Sequence, residues 1–202
     1  MTLLTVVQDV ARNTAIGIPA TASGSTEREI VNVVQFVNDT GLELARRVDW
    51  GALRATTTVT GNGTNANFTL PAYYSRPIKG GAVLVGGVGL RGGLSPDEWA
   101  ALTPVEGTPR FYRLRGSSIS FYPFLANAAT ATVNYQSTAW ASNGTDRLLL
   151  DAETSLIPED LLVKGAIWRQ RRHVGQDFSD QVAEYEAALA DYADYDARDR
   201  SP

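Results

Sequence analysis

The spacing of apolar residues changes twice along this chain, and this change constrains the fold more than any single motif. Up to Asp49, apolar residues recur every three or four positions, as on one face of an α-helix. From Arg54 they alternate every second position, as on one face of a β-strand, and after Pro158 the helical spacing returns. The sequence therefore predicts an α+β fold: a helical bundle formed by N- and C-terminal helices, with an inserted antiparallel β domain.

The predicted domain boundaries follow these two changes of period. Residues 1–53 form the N-terminal helical part, residues 54–150 the inserted β domain, and residues 151–202 the C-terminal helices with their tail. Each terminal part carries apolar stripes but is too small to bury a large core by itself. We therefore expect residues 1–53 and 151–202 to pack as one helical domain.

The N-terminal part predicts two amphipathic helices. Thr2 is placed to cap the first, whose apolar stripe consists of Leu3, Val6, Val7 and Val10. Ser25 is placed to cap the second, which is expected to end near Gly51. The stripe of this longer helix consists of Ile30, Val33, Val34, Val37, Leu44 and Val48.

The middle of the chain is rich in β-branched and aromatic residues, which favour strands. Four turns predict hairpins, because glycine tolerates the positive φ that tight turns require: Gly61-Asn62-Gly63, Gly86-Gly87, Arg115-Gly116 and Asn143-Gly144. In the hairpin at Arg115-Gly116, Tyr112 and Leu114 are expected on one face of the first strand. Each strand is therefore expected to pack one side on a core.

Three further helices are predicted from their start signals. The segment Ser95-Pro96-Asp97-Glu98 provides a capping residue, a proline at the first helical position and a capping-box glutamate. Pro158 begins a helix that ends in a basic cluster at His173, and Ser179 begins the last helix. After Tyr195 the chain is charged and lacks apolar anchors, so the tail is expected to be mobile.

Composition excludes several functional classes. The chain has no cysteine, which excludes disulfides, thiolate nucleophiles and sulfur-ligated metals and fits synthesis in a reducing cytoplasm. A net charge of −4 provides no basic surplus for wrapping nucleic acid. Apolar runs are only a few residues long, whereas a membrane-spanning helix needs about 20, so we expect no membrane association.

No motif nominates a catalytic, cofactor-binding or metal-binding residue. The segment from Gly87 to Gly92 has the GxGxxG form, but it opens into no helix that could hold a pyrophosphate, so we interpret it as a glycine-rich hairpin or loop. His173, the single histidine, is expected to be solvated at a helix end rather than held beside a nucleophile. We therefore predict that the chain is not an enzyme and has no cofactor.

A set of packing and turn motifs occurs in a fixed order along the chain. The motifs are Asn67-Phe68-Thr69-Leu70-Pro71, Ser95-Pro96-Asp97-Glu98-Trp99, Gly107-Thr108-Pro109-Arg110-Phe111-Tyr112, Ile119-Ser120-Phe121-Tyr122-Pro123, Val133-Asn134-Tyr135 and Ile157-Pro158-Glu159-Asp160-Leu161-Leu162. This set resembles the head-to-tail connector, or adaptor, proteins of tailed bacteriophages, over roughly residues 25–190. The resemblance implies a noncatalytic structural protein of the virion, with a helical core bearing a β domain.

The resemblance also implies partners. Such proteins assemble as a homo-oligomeric ring, commonly of twelve copies, between the portal protein and the next tail or neck protein. DNA would pass through the lumen without specific binding, and the protein would be located in the neck, or connector, of the virion. A mobile C-terminus would fit a segment that orders on docking to the portal.

The contact surface is predicted on the C-terminal helices. The last helix repeats Val182, Tyr185, Leu189 and Tyr192 at 3,4,3 spacing, a narrow seam suited to one neighbouring helix. Arginines at the end of the preceding helix are expected to pair with carboxylates on an adjacent surface. The predicted interface residues are Tyr185, Leu189, Tyr192, Tyr195, Arg169 and Arg172.

Two alternatives stay open at this stage. The chain could be another structural part of the virion, such as a decoration or tail-tube subunit. It could also be a carbohydrate-binding or carbohydrate-active module built on the β domain, for which an exposed platform of aromatic side chains on one sheet face would be the expected sign.

Overall fold

A computed structural model describes residues 1–64 and 67–199 and confirms the predicted α+β fold. The helices are α1 (Leu3–Thr14), α2 (Arg28–Arg47), α3 (Pro96–Ala100), α4 (Glu159–His173) and α5 (Ser179–Asp199), with a 3₁₀ turn at Gly51–Leu53. The strands are β1 (Arg54–Thr60), β2 (Asn67–Thr69), β3 (Tyr74–Pro77), β4 (Val83–Val85), β5 (Val88–Gly89), β6 (Glu106–Gly107), β7 (Phe111–Arg115), β8 (Ser118–Tyr122), β9 (Phe124–Leu125) and β10 (Thr130–Ser137).

The chain divides into two compact units. The helical unit consists of Met1–Leu53 and the chain from Thr138 onward, and the β unit is Arg54–Ser137. The sequence placed the end of the β domain at residue 150, which is 13 residues too late. The segment after Ser137 belongs to the helical unit because Trp140, Ala141 and Leu148 are buried in the helical core.

The core of the helical unit is formed by α1, α2, α4 and α5. Helix α4 contacts the other three, so it is the central element of the unit. Two glycines allow close packing: a Cβ on Gly41 would overlap the indole ring of Trp140, and a Cβ on Gly165 would lie 2.9 Å from Thr40 Oγ1. Apolar residues buried in this core include Leu3, Val6, Val7, Val10, Ile30, Val33, Val37, Leu44, Trp50, Leu161, Leu162, Ala166, Tyr185 and Leu189.

The ends of the N-terminal helices agree with the sequence signals only in part. Thr2 caps α1 as predicted and forms a capping box with Thr5. Ser25 does not cap α2, because its hydroxyl accepts the N–H of Glu27 at 3.3 Å in a local turn and the helix begins at Arg28. The prediction of the second N-cap was therefore wrong by two residues.

The C-terminal helix extends further than the sequence indicated. Helix α5 continues to Asp199, so residues 196–199 are helical although the sequence has no apolar anchor after Tyr195. Asp196 helps to fix this segment, since its carboxylate accepts the N–H of Gly51 at 3.0 and 3.2 Å. Residues 200–202 lie outside the described part of the chain.

The β unit contains three small sheets around its own core. One sheet has the order β1-β10-β4-β5 with β3 also paired to β10, a second has the order β2-β8-β7, and β6 pairs with β9 in parallel. The remaining pairs are antiparallel. Buried residues of this core are Val59, Leu70, Val83, Ile119, Phe121, Leu125, Ala131 and Val133.

Two of the four predicted hairpins are confirmed, those at Gly86-Gly87 and Arg115-Gly116. Gly61-Asn62-Gly63 does not join a hairpin, because β1 pairs with β10 and β2 with β8, and Asn143-Gly144 lies in the helical unit, between β10 and α4 rather than between two strands. Gly86 and Gly87 have φ of +56° and +80° between β4 and β5, as a two-residue hairpin loop with two positive φ angles requires. The GxGxxG segment is therefore a hairpin and does not open into a helix. In the second hairpin, Tyr112 and Leu114 of β7 pair with Phe121 and Ile119 of β8 and pack on the core.

Candidate interaction surfaces

Two of the predicted interface residues are buried inside the helical unit. Tyr185 is 1% exposed and Leu189 is 4% exposed, and both belong to the helical core. Their 3,4,3 spacing correctly indicated a seam against neighbouring helices, but those helices belong to the same chain. These two side chains stabilise the protomer itself and are not on a surface that a partner could reach.

Arg169 is also engaged within the chain. Its guanidinium donates to Thr40 Oγ1 and to the Gly165 carbonyl, both at 2.9 Å, and forms an ion pair with Glu43. It also stacks over the ring of Trp168 at 4.2 Å. Because the side chain is only 13% exposed, this network holds α4 against α2 rather than presenting a free charge.

Glu43 connects this network to α5. Arg47 binds Glu43 at 2.9 Å and makes a bidentate pair with Glu186 at 2.7 Å for each bond. The hydrogen bonds from Arg47 lower the pKa of Glu186 and the two carboxylates raise the pKa of Arg47. The Tyr185 hydroxyl donates to Glu43 at 3.4 Å, and burial, followed by the Glu43 charge, raises the pKa of Tyr185. The network therefore joins α2, α4 and α5 of one protomer.

Tyr192 and Tyr195 lie on the surface, at the edge of a groove between α4 and α5. The groove has a volume of about 610 Å³, and Tyr192 is 36% and Tyr195 73% exposed. Its lining residues are Asp160, Lys164, Ala188, Asp191, Tyr192 and Tyr195. We call it the acidic groove, because it combines aromatic rings with two carboxylates and a single cation.

Arg172 lies in a second groove, at the C-terminal end of α4. This groove has a volume of about 480 Å³, and its lining residues are Phe36, Asp39, Trp168, Arg169, Arg172 and His173. His173 is exposed as predicted, with its ring against Phe36 at 5.7 Å and its Nε2 atom 3.3 Å from Asn32 Nδ2. We call it the basic groove.

Sequence reasoning missed an exposed apolar loop. Leu149 is 58% and Leu150 60% exposed, although the loop that carries them is firmly held. The Glu153 carboxylate accepts the N–H groups of both leucines, at 2.5 and 3.1 Å, and the N–H of buried Leu148 donates to Asn38 at 2.8 Å. We call Leu149 and Leu150 the leucine loop. The run of three leucines after the Asn143-Gly144 turn is the signal that could have indicated it.

The described residues give no support to the alternative of carbohydrate binding. Aromatic side chains of the β unit are buried or half-buried, and Phe68, Tyr74, Tyr112 and Phe121 pack in or against its core. Within residues 1–64 and 67–199, no cluster of three or more potential metal ligands is found. None of the helices in this part is long and apolar enough to span a membrane.

Comparison with known proteins identifies the family. No curated protein sequence matches the chain. The family described as SU10 adaptor protein matches residues 1–202, which is the whole sequence, and this match confirms the resemblance inferred from the ordered motifs. The chain therefore belongs to the SU10 adaptor protein family of bacteriophage adaptor proteins.

Proposed function

We propose that this protein is a noncatalytic subunit of a head-to-tail adaptor ring, which joins the portal to the next tail or neck protein in the virion. The observation that carries this proposal is the family match over the entire chain. We further propose that the ring contains twelve copies and that its lumen forms part of the DNA channel. A net charge of −4 suits a channel through which DNA slides, because it provides no excess of cations to bind phosphates.

The leucine loop supports a docking role. Large apolar side chains on a preorganised loop lose little conformational entropy when a partner covers them, so they contribute more of their burial to affinity. Leu149 and Leu150 are held in this way by Glu153 and by the neighbouring buried Leu148. We propose that the portal covers them.

Capture by the purified portal protein, followed by electron microscopy of the complex, tests the function directly. We expect a ring of the chain on the portal, and a wild-type chain that stays apart from portals would contradict the proposal. Capture by a decoration or tail-tube protein instead would favour the other virion role.

A pair of variants tests the docking surface. Leu149→Asp combined with Leu150→Asp is expected to weaken portal capture without changing the fold, because both side chains are exposed in the isolated chain. Val88→Asp is the matched control, since Val88 is 69% exposed in the β unit. Equal capture of both variants would show that the leucine loop is not the portal contact.

A further inference from the structure

We propose that neighbouring copies of this chain join through the two grooves, with the acidic groove of one copy receiving Arg172 and the end of α4 from the next copy. This inference rests on the proposed ring, and it names the residues that would form the contact between subunits. The occupant of each groove is therefore a second copy of the same chain.

The acidic groove has an uncompensated negative charge. Lys164 is bound to Asp160 at 2.9 Å, so the single cation of the groove is already paired. Among the side chains that the structure describes, none forms an ion pair with Asp191. The aromatic rings of Tyr192 and Tyr195 lie beside this free carboxylate. Such a site suits an arginine, which can pair with the carboxylate and stack on a tyrosine ring.

The basic groove carries an exposed cation. Arg169 is neutralised by Glu43, and the Asp39 carboxylate keeps its charge, because its hydrogen bond at 2.7 Å comes from the neutral amide of Gln35. Arg172 is exposed, and within the described part of the chain no carboxylate is paired with it. It projects from the last turn of α4, which also contains Arg171 and His173. Within the described part of the chain, Arg172 and Asp191 are thus a cation and an anion without ion-pair partners, and they lie on separate grooves.

The positions of the two grooves favour a ring or filament. Asp160 is in the first turn of α4 and Arg172 in its last turn, which are about 18 Å apart along a helix that rises 1.5 Å per residue. When two different, complementary surfaces lie at opposite ends of one helix, each copy binds the next through a different surface. Such a heterologous contact closes into a ring when the rotation between copies allows it. Tyrosine and arginine are also the residue types most often found to dominate binding energy.

Charge exchange tests the contact. Arg172→Glu and Asp191→Arg are each expected to weaken self-association at least about tenfold, because each places like charges against one another. The double variant Arg172→Glu/Asp191→Arg restores the opposite charges and is expected to recover assembly. Arg115→Glu, in an exposed position of the β unit, is the matched control. The masses of the oligomers that each variant forms are measured for the chain alone and for its complex with the purified portal. Circular dichroism checks the fold of each variant.

Cross-linking gives an independent readout, because the chain contains no cysteine. The variant Ala188→Cys/Val174→Cys keeps Arg172, Asp191 and both tyrosines, since Ala188 lines the acidic groove and exposed Val174 follows the end of α4. Treated with a short thiol cross-linker, it is expected to form a ladder of oligomers that ends at the closed ring. Each single-cysteine variant is expected to cross-link poorly alone and well when the two are mixed. A cross-linked product that stops at the dimer, or no product from assembled rings, would overturn the groove contact.

The outcomes separate this inference from the proposed function. If single charge reversals leave assembly unchanged while the portal still captures the chain, the groove contact is wrong and the adaptor role stands. A wild-type chain that binds portals without contacts between copies would overturn the groove contact in the same way. If rings form through these residues but do not bind portals, the groove contact stands and the adaptor role is wrong.

Discussion

The close approach of α2 to Trp140 predicts that the smallest possible enlargement of Gly41 destabilises the helical unit. Trp140 is fully buried, and its indole N–H donates to the Asp146 carbonyl at 2.8 Å. A Cβ on Gly41 would lie 2.6 Å from Trp140 Cη2 and closer still to two other ring atoms. Because carbon atoms pack at about 3.5–4.0 Å, the ring would have to move by roughly 1 Å or more.

The expected cost follows from three opposing contributions. Forcing an extra methyl group into a packed core costs about 1–3 kcal/mol. Displacing the indole of Trp140 breaks its hydrogen bond and leaves the buried indole N–H unsatisfied, which costs about 1–3 kcal/mol more. Replacing glycine by alanine within a helix gains about 1 kcal/mol. Gly41→Ala should therefore lower the free energy of unfolding by about 3 kcal/mol, within a range of about 1–5 kcal/mol.

Urea unfolding followed by circular dichroism measures this loss. Gly17→Ala is the control, because no atom lies within 4 Å of a Cβ at that position. A double-mutant cycle with Trp140→Phe adds a sharper test, since the smaller ring should relieve part of the overlap and make the two changes non-additive. The reasoning would be refuted if Gly41→Ala were as stable as Gly17→Ala, or if the cycle gave no coupling.

Three further predictions concern buried polar groups. Asn38→Ala should lower the free energy of unfolding by about 2–4 kcal/mol, because the amide of Asn38 satisfies both the N–H and the carbonyl of buried Leu148; urea unfolding measures the change, and an unaffected stability would contradict it. Arg169→Met should cost about 2 kcal/mol, since Glu43 would keep only Arg47 as an ion-pair partner, and adding Glu43→Gln should recover part of the loss. Burial raises the pKa of Tyr74 to about 12, so the folded β unit retains a proton that the unfolded chain releases near pH 10, and its stability should fall as pH rises from 10 to 12. Tyr74→Phe should lose less stability over that interval, as measured by urea unfolding followed by circular dichroism; identical pH profiles would refute the assignment.

The sequence predicted the elements of this fold better than their limits. Alternation identified the hairpin of β7 and β8 with the correct faces, because each side chain's position there depends on its immediate neighbours. The boundary at residue 137 was missed because the segment that follows has no regular period. Trp140 and Leu148 bury themselves by contacts with residues about 100 positions away, which no local pattern records. The helical end at Asp199 was missed for a related reason: Asp196 is bound by Gly51, far away in the sequence.

The candidate interface shows the same limit in more detail. An apolar or aromatic stripe indicates that a helix face packs against another element. It does not indicate whether that element belongs to the same chain or to a partner. Likewise, the sequence does not distinguish the arginines at the end of α4. In the fold, Arg169 forms an ion pair with Glu43, whereas Arg172 remains exposed. Only the fold could separate the residues that build the protomer from those left for a partner.

The stripe of α5 passes from core to surface along its length. Tyr185 is 1% exposed, Leu189 4%, Tyr192 36% and Tyr195 73%. The stability of the protomer explains the first half of this stripe, since burying a large apolar side chain contributes about 1.5–3 kcal/mol. It explains Tyr195 least, because most of that ring is exposed in the isolated chain. In the proposed groove contact, Arg172 of the next copy covers this end of the stripe and pairs with the Asp191 carboxylate beside it.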